Sequence, residues 1–321
     1  MTIKFIIYII IKYRGKESEL YMKIGVDLGG SHVGIGLVDG DKIIDIKDKI
    51  FTRQDRVNIE NTIVESIKVF VNELLVENNL KIEDIECIGI ASPGTISHGE
   101  IVKAGNLSIR NFKLVDRLKE YFSIPIHMRN DGKCAALAEK VFGSMKEYDD
   151  CVFINIGTGI GGAAFIDGKL LEPKRYSGFE FGHMVVNKGG RQCSCGKKGC
   201  FETYASIKSL KNKVTETLDM DSDISGQYLR EELLIKDHPG VQEDLEVFLD
   251  YLTVGVCNLI DIFEPEVICF GGSFSYYEGN PILDRLIAKI SEPKNRFNEG
   301  EPPKIVTATY KNDAGIIGAT L

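Results

Sequence analysis

Positive charge is scarce in this chain: 39 lysines and arginines stand against 47 aspartates and glutamates, a formal net charge of −8. A nucleic-acid surface needs a Lys/Arg excess to meet the phosphate backbone, so no nucleic-acid partner is expected. Long apolar runs are missing too. Phe5 to Ile11 is too short to cross a bilayer, which takes about 20 residues in a helix, and no membrane partner is expected. There is no Walker A lysine pattern and no dinucleotide-binding fingerprint, which excludes those two modes of holding a nucleotide. Low-complexity segments and Pro/Gly-rich linkers are likewise absent. The cysteines do not form a disulfide framework. Cys87, Cys151, Cys257 and Cys269 stand singly in apolar runs, as small buried hydrophobes do, which points to a reducing, cytoplasmic setting.

What is present is a globular composition, 43% hydrophobic and 27% charged, over 321 residues, enough for about two domains. A strand-type core begins at Met22-Lys23-Ile24-Gly25, and residues 1–21 are expected to be a leader or a mis-assigned start outside the fold. From Met22, three short β-rich runs separated by glycines and Asp-Gly turns read as consecutive hairpins. Ile59, Ile63, Ile67, Phe70 and Leu74 then recur at helical spacing. Residues 85–91 read as a buried strand, 112–122 as a helix, 124–128 as a strand and 134–143 as a helix ending at Gly143. Residues 152–171 repeat the pattern of 23–44: strand, Gly-rich turn, strand, Asp-Gly turn. A helix over about 241–262, the strand EVICFGG, a helix around Leu283–Ile290, the strand KIVTA and a helix from Asp313 complete the second half. Two β-β-β-α-β-α-β-α halves imply an internal duplication, two α/β domains facing each other across a cleft.

Three glycine-rich turns carry chemistry. Asp27-Leu28-Gly29-Gly30-Ser31 joins two strands, and Gly157-Thr158-Gly159-Ile160-Gly161 is its counterpart in the second half. Gly271-Gly272-Ser273 follows a buried strand. Turn amides at glycines make anion-binding nests, so phosphates would be held by backbone N–H groups and a metal ion. Asn130-Asp131 stands between a strand and a helix, where Asp131 either caps the helix or presents a carboxylate to a substrate hydroxyl. Glu180 and His183 are spaced to share one face if their segment is helical.

The densest feature is His183, Cys193, Cys195 and Cys200, spaced H-x9-C-x-C-x4-C and interspersed with glycines. Three cysteines and a histidine form a closed structural zinc set. Redox chemistry more usually uses Cys-x-x-Cys, and a disulfide would leave one cysteine over, so zinc is the favoured reading.

The stretches GVDLGGSHVGIGLVD, NDGKCAALAE, GTGIGGAAFIDGKL, GFEFGHMVV, CSCGKKGCFETYAS, FGGSFS and AGIIGA together resemble the ROK family of repressors and sugar kinases, especially its bacterial glucokinase branch. The resemblance runs from about Met22 to Leu321. It implies a duplicated actin-like (RNase H-like) kinase fold with a structural zinc insertion near 183–204. The domains would be 22–132 plus 313–321, small, and 133–312, large. It further implies ATP across the turns, with Asp27, Gly29, Gly30, Ser31, Gly157, Thr158, Gly159, Gly161, Gly271 and Gly272 at the nucleotide. Asp131 would be the catalytic base, and Asn106, Asn130, Glu180, His183 and Glu202 would bind the sugar. Zinc would sit on His183, Cys193, Cys195 and Cys200, and Mg²⁺ near Asp27.

The expected reaction is phosphorylation of glucose at its 6-hydroxyl, by a homodimer or homotetramer. Fructose, mannose, allose or an N-acetylhexosamine are alternative acceptors, and a non-enzymatic sugar sensor is the alternative class. The chain departs from the family pattern at Ser31-His32, at Arg129-Asn130-Asp131-Gly132-Lys133, and at Leu107-Ser108-Ile109-Arg110, and it contains no tryptophan.

Overall fold

A computed structural model describes residues 22–321 except 174–177, 223, 237, 239 and 299, so the expectation for residues 1–21 lies outside the described residues. The described chain forms two compact units, residues 22–129 with 319–321, and residues 130–318.

The first unit is built on a five-stranded sheet of order β3-β2-β1-β4-β8. Its strands are β1 (Met22–Leu28), β2 (His32–Asp39), β3 (Lys42–Ile50), β4 (Ile85–Ser92) and β8 (Ile126–Asn130). β1, β2 and β3 pair antiparallel as hairpins, whereas β1 and β4 pair parallel through the crossover helix α1 (Ile59–Glu77). Ile59, Ile63, Ile67, Val71 and Leu74 return every three to four residues and are buried. Each such side chain contributes about 1.5–3 kcal/mol before its ordering entropy is counted. They pack with Ile24, Val26, Ile35, Ile88 and Ile90 of the strands in one core.

Three strands that periodicity does not reveal, β5 (Thr95–Ser97), β6 (Glu100–Ala104) and β7 (Ile109–Phe112), form a small antiparallel sheet. They are too short to show an alternation, yet Ile96, Ile101, Ile109 and Phe112 join the core. The expected helix over 112–122 is shorter, α2 (Leu114–Lys119). β8 begins two residues later than expected: Pro125 has no N–H to donate, and its carbonyl accepts from Ile88 N at 2.9 Å. Residues 319–321 complete this unit. His127 Nε2 donates to Ala319 O at 2.8 Å and Lys23 Nζ to Thr320 O at 3.1 Å.

The second unit repeats the sheet, in the order β11-β10-β9-β12-β13. Here β9 (Cys151–Ile156), β10 (Ile160–Ile166) and β11 (Lys169–Leu170) are the antiparallel strands. β12 (Val267–Gly271) runs parallel to both β9 and β13 (Lys304–Thr307). The unit opens with α3 (Asp131–Val141); later come α4 (Glu202–Ala205), α5 (Ile207–Thr217), α6 (Gln242–Phe263), α7 (Pro281–Ser291) and α8 (Ala314–Ala319). Leu245, Phe248, Leu249, Leu252 and Val256 of α6 form the core with Val152, Ile154, Phe270 and Phe274. The last helix starts at Ala314, because Asp313 ends a separate turn at Lys311–Asp313. The α/β duplication expected from the repeated motifs is therefore present as two sheets of matching order.

Candidate active site

In the first unit, Asp27 sits at the C-terminal end of β1, beside Gly34 and Ala91 on the flanking strands. It keeps some accessible surface, yet the protein surrounding it desolvates the carboxyl and pushes it up to about 6. The turn Gly29-Gly30-Ser31 follows, pinned by Gly29 N donating to His32 O at 2.9 Å and by Phe51 N donating to Ser31 O at 2.8 Å. Asn106 is exposed on the turn Gly105–Leu107 between β6 and β7, which Leu107 anchors in the core.

In the second unit, the turn at Gly157 closes with Gly157 N donating to Gly159 O at 3.0 Å. β9 and β12 are neighbours and Gly271 pairs with Asn155, so this turn and Gly271-Gly272-Ser273 come together at the ends of two parallel strands. A Cβ on Gly157 would lie 3.7 Å from Ser273 Oγ. Gly159 faces Glu202 instead: a Cβ there would come within 2.8 Å of Glu202 Oε2. Only glycine leaves that carboxylate its place.

Asn130, not Asp131, caps α3. Asn130 has extended backbone, and its side chain accepts from Lys133 N at 3.4 Å. Asp131 is the first helical residue, its Oδ1 accepting from Gly132 N at 2.8 Å. The capping reading of Asp131 is corrected accordingly: the cap must be the last non-helical residue, and that is Asn130. Glu180 and His183 stand at the two ends of a single tight turn rather than on an α-helix: Glu180 precedes Phe181–His183, and His183 N donates to Glu180 O at 2.9 Å. Phe179, in the left-handed region at φ 54°, turns the chain into that segment. Glu180 is exposed on one side, but burial still raises its carboxyl, partly offset by His183 and Lys133 and reinforced by Glu202. Lys133, 4% exposed and 5.9 Å from the Phe179 ring centroid, is the feature the sequence did not single out. A lysine amid alanines on a helix carries no signal of burial.

The cysteine cluster converges. Ligand atoms of His183, Cys193, Cys195 and Cys200 all lie within 4.8 Å of one another. Cys193 Sγ is 3.6 Å from His183 Nδ1, and Cys195 Sγ is 3.6 Å from Cys200 Sγ. A tetrahedron with Zn–S bonds of about 2.3 Å has S···S edges of about 3.8 Å. Burial pushes the Cys193 thiol up to about 12, with Glu202 adding to the rise, and the Cys200 thiol is raised too. A divalent cation relieves the crowding of three thiols by taking them as thiolates, so the donor set fits zinc. The loop is tied down elsewhere. Tyr204 OH accepts from Arg191 N at 2.7 Å, the Tyr204 and Tyr251 rings lie 4.1 Å apart, and Asn187 Nδ2 donates to Tyr251 OH at 2.8 Å. Glu202, at the start of α4, accepts from Cys193 Sγ at 3.2 Å and lies 3.5 Å from His183 Nδ1. The metal loop and the second glycine turn therefore share one carboxylate.

The chain is similar to known proteins over most of its length. The chain is 30% identical to a glucokinase of Thermotoga maritima, over 92% of this chain and 95% of that protein. It is 32% identical to a xylose repressor of Bacillus subtilis over 64% of this chain and 52% of that protein. A crystal structure of a ROK family glucokinase from Streptomyces griseus in complex with glucose and AMPPNP superposes with a TM-score of 0.75, at 26% identity, over 93% of this chain and 98% of that one. The ROK family pattern matches residues 23–321, and on these grounds the chain belongs to the ROK family.

Proposed function

We propose that this protein is an ATP-dependent hexose kinase that phosphorylates glucose at its 6-hydroxyl. The observation that carries the reading is the convergence on Glu202 in the second unit: His183 of the candidate metal-ligand loop lies 3.5 Å from it, and the Gly157–Gly161 turn packs against it. Likeness to the glucokinases over nearly their whole lengths supports the choice of sugar.

In the reaction, the sugar hydroxyl oxygen attacks the γ-phosphorus, the bond to the β-phosphate oxygen breaks, and ADP leaves with that electron pair. Asp131 takes the hydroxyl proton as the new P–O bond forms. An aspartate is a weak base for an alcohol, so orientation contributes as much as basicity. Asn106, Asn130, Glu180, His183 and Glu202 would hold the sugar hydroxyls, and the turn amides of residues 29–31, 157–161 and 271–272 the phosphates. Asp27 would hold Mg²⁺, directly or through water, and the ion would supply charge to the phosphate oxygens. His183, Cys193, Cys195 and Cys200 would hold zinc, which braces the loop carrying His183 and Glu202.

The test is ADP release with Mg-ATP against glucose, fructose, mannose, allose and N-acetylhexosamines, with Asp131→Asn alongside. Asp131→Asn should keep sugar binding and lose about 10²–10⁴-fold in turnover. Near-normal turnover in that variant removes Asp131 from the mechanism. A sugar-responsive regulator is the second reading, supported by the xylose repressor likeness. Sugar binding without ADP release across the whole panel would favour it.

A further inference from the structure

Gly30 is held from two sides. Its carbonyl oxygen accepts from Arg56 Nη2 at 2.8 Å, and Asn106 packs so closely that a Cβ on Gly30 would lie 2.7 Å from Asn106 Nδ2. The same guanidinium donates through Nη1 to the Asn106 carbonyl oxygen at 3.4 Å. One rigid planar fork therefore spans the phosphate turn and the Asn106 turn, a geometry lysine lacks. Arg56 is itself fixed from behind. Asp55 accepts from Thr52 N, Thr52 Oγ1 and Lys49 Nζ, each at 2.8 Å, and its carbonyl accepts from Thr62 Oγ1 at 3.2 Å.

The consequence for the turn follows from peptide geometry. In a trans peptide the carbonyl and the next N–H point in opposite directions. Fixing Gly30 C=O on Arg56 thus fixes Ser31 N–H pointing away from it. Among the described residues neither Gly30 N–H nor Ser31 N–H has an acceptor, which leaves two adjacent amides for an anion. No carboxylate among the described residues pairs with Arg56, so its charge is met there by carbonyl dipoles alone.

We propose that Arg56 is a positioning residue that couples phosphate binding at Gly30-Ser31 to sugar binding at Asn106, so that filling either subsite pre-orders the other. The proposal rests on the kinase reading for the identity of the two ligands. Because coupling is reciprocal, nucleotide should tighten sugar by the same factor as sugar tightens nucleotide.

The experiment measures glucose affinity with and without Mg-AMPPNP, and kcat, in the wild type, Arg56→Gln and Arg56→Lys. Arg56 is exposed, so the variants should fold, which a thermal melt checks. In the wild type the nucleotide should tighten glucose about tenfold. In Arg56→Gln that ratio should fall to about one, kcat should drop more than either single-ligand affinity, and Arg56→Lys should lie between. A purely structural role would weaken each ligand alone and leave the ratio intact, and that outcome overturns the proposal.

Hydrogen exchange supplies a readout that needs neither sugar nor turnover. Mg-AMPPNP alone should slow exchange at residues 29–32 and at 105–107 in the wild type, and only at 29–32 in Arg56→Gln. A wild type without slowing at 105–107 overturns the coupling. If no sugar elicits ADP release yet the linked slowing appears and Arg56→Gln abolishes it at 105–107, the kinase reading falls and the coupling stands.

Discussion

Asp27 links the phosphate turn to pH. Its folded carboxyl titrates near 6 against an ordinary value of 3.8, because burial disfavours the ionised form. A raised acid contributes stability that is fully present below its unfolded value and lost as pH rises through its folded value. The ligand-free protein should therefore lose about 3 kcal/mol of unfolding free energy from this group between about pH 4 and pH 6. Asp27→Asn should flatten that stretch of the profile, and urea unfolding across pH 4 to 7 measures it. An unchanged slope would show that Asp27 is solvated in the fold. At this scale the sequence shows residue type and spacing but not contact. The four metal-ligand candidates stood out because their spacing is specific. Lys133 and Arg56 did not, because burial in one and a bridge between two distant turns in the other exist only once the chain is folded.

Among the elements, the loop from His183 to Glu202 is held by the ligand cluster and, apart from it, by contacts that include the Tyr204–Tyr251 rings and the Asn187–Tyr251 hydrogen bond to α6. Cys195→Ser removes one ligand and leaves the aromatic contact, so the protein should fold while losing both zinc and glucose affinity. Metal content by mass spectrometry and glucose titration on the same preparation check it; a zinc-free variant with normal glucose affinity would refute the coupling. Long periodic elements such as α1 and α6 were legible because a buried stripe must recur every three to four residues. The β5–β7 sheet and α5 were not. Strands of three to five residues hold too few turns of the pattern, and the polar residues of α5 dilute its stripe of Ile207, Leu210 and Val214.

At the scale of the whole molecule, the repeated glycine turns announced a duplication, and the two sheets share one strand order. A ligand that binds only the folded state raises stability by mass action. Saturating Mg-AMPPNP at about 100 times its dissociation constant should add about 2.7 kcal/mol, read as a higher melting temperature. Glucose added with it should raise the melting temperature further. A nucleotide-independent melting temperature would argue against a nucleotide site.

The closing contacts of the first unit also set a timetable for synthesis. His127 must wait for Ala319, 192 residues further along the chain, and Lys23 must wait for Thr320. At roughly 5–20 residues per second, a ribosome takes about 10–40 seconds after His127 to supply Ala319. Through that interval the second unit emerges and can fold, while the first stands with an unfinished edge. The nascent first unit is therefore the part of the molecule most exposed to chaperones and proteases, although its strands are the first to be made.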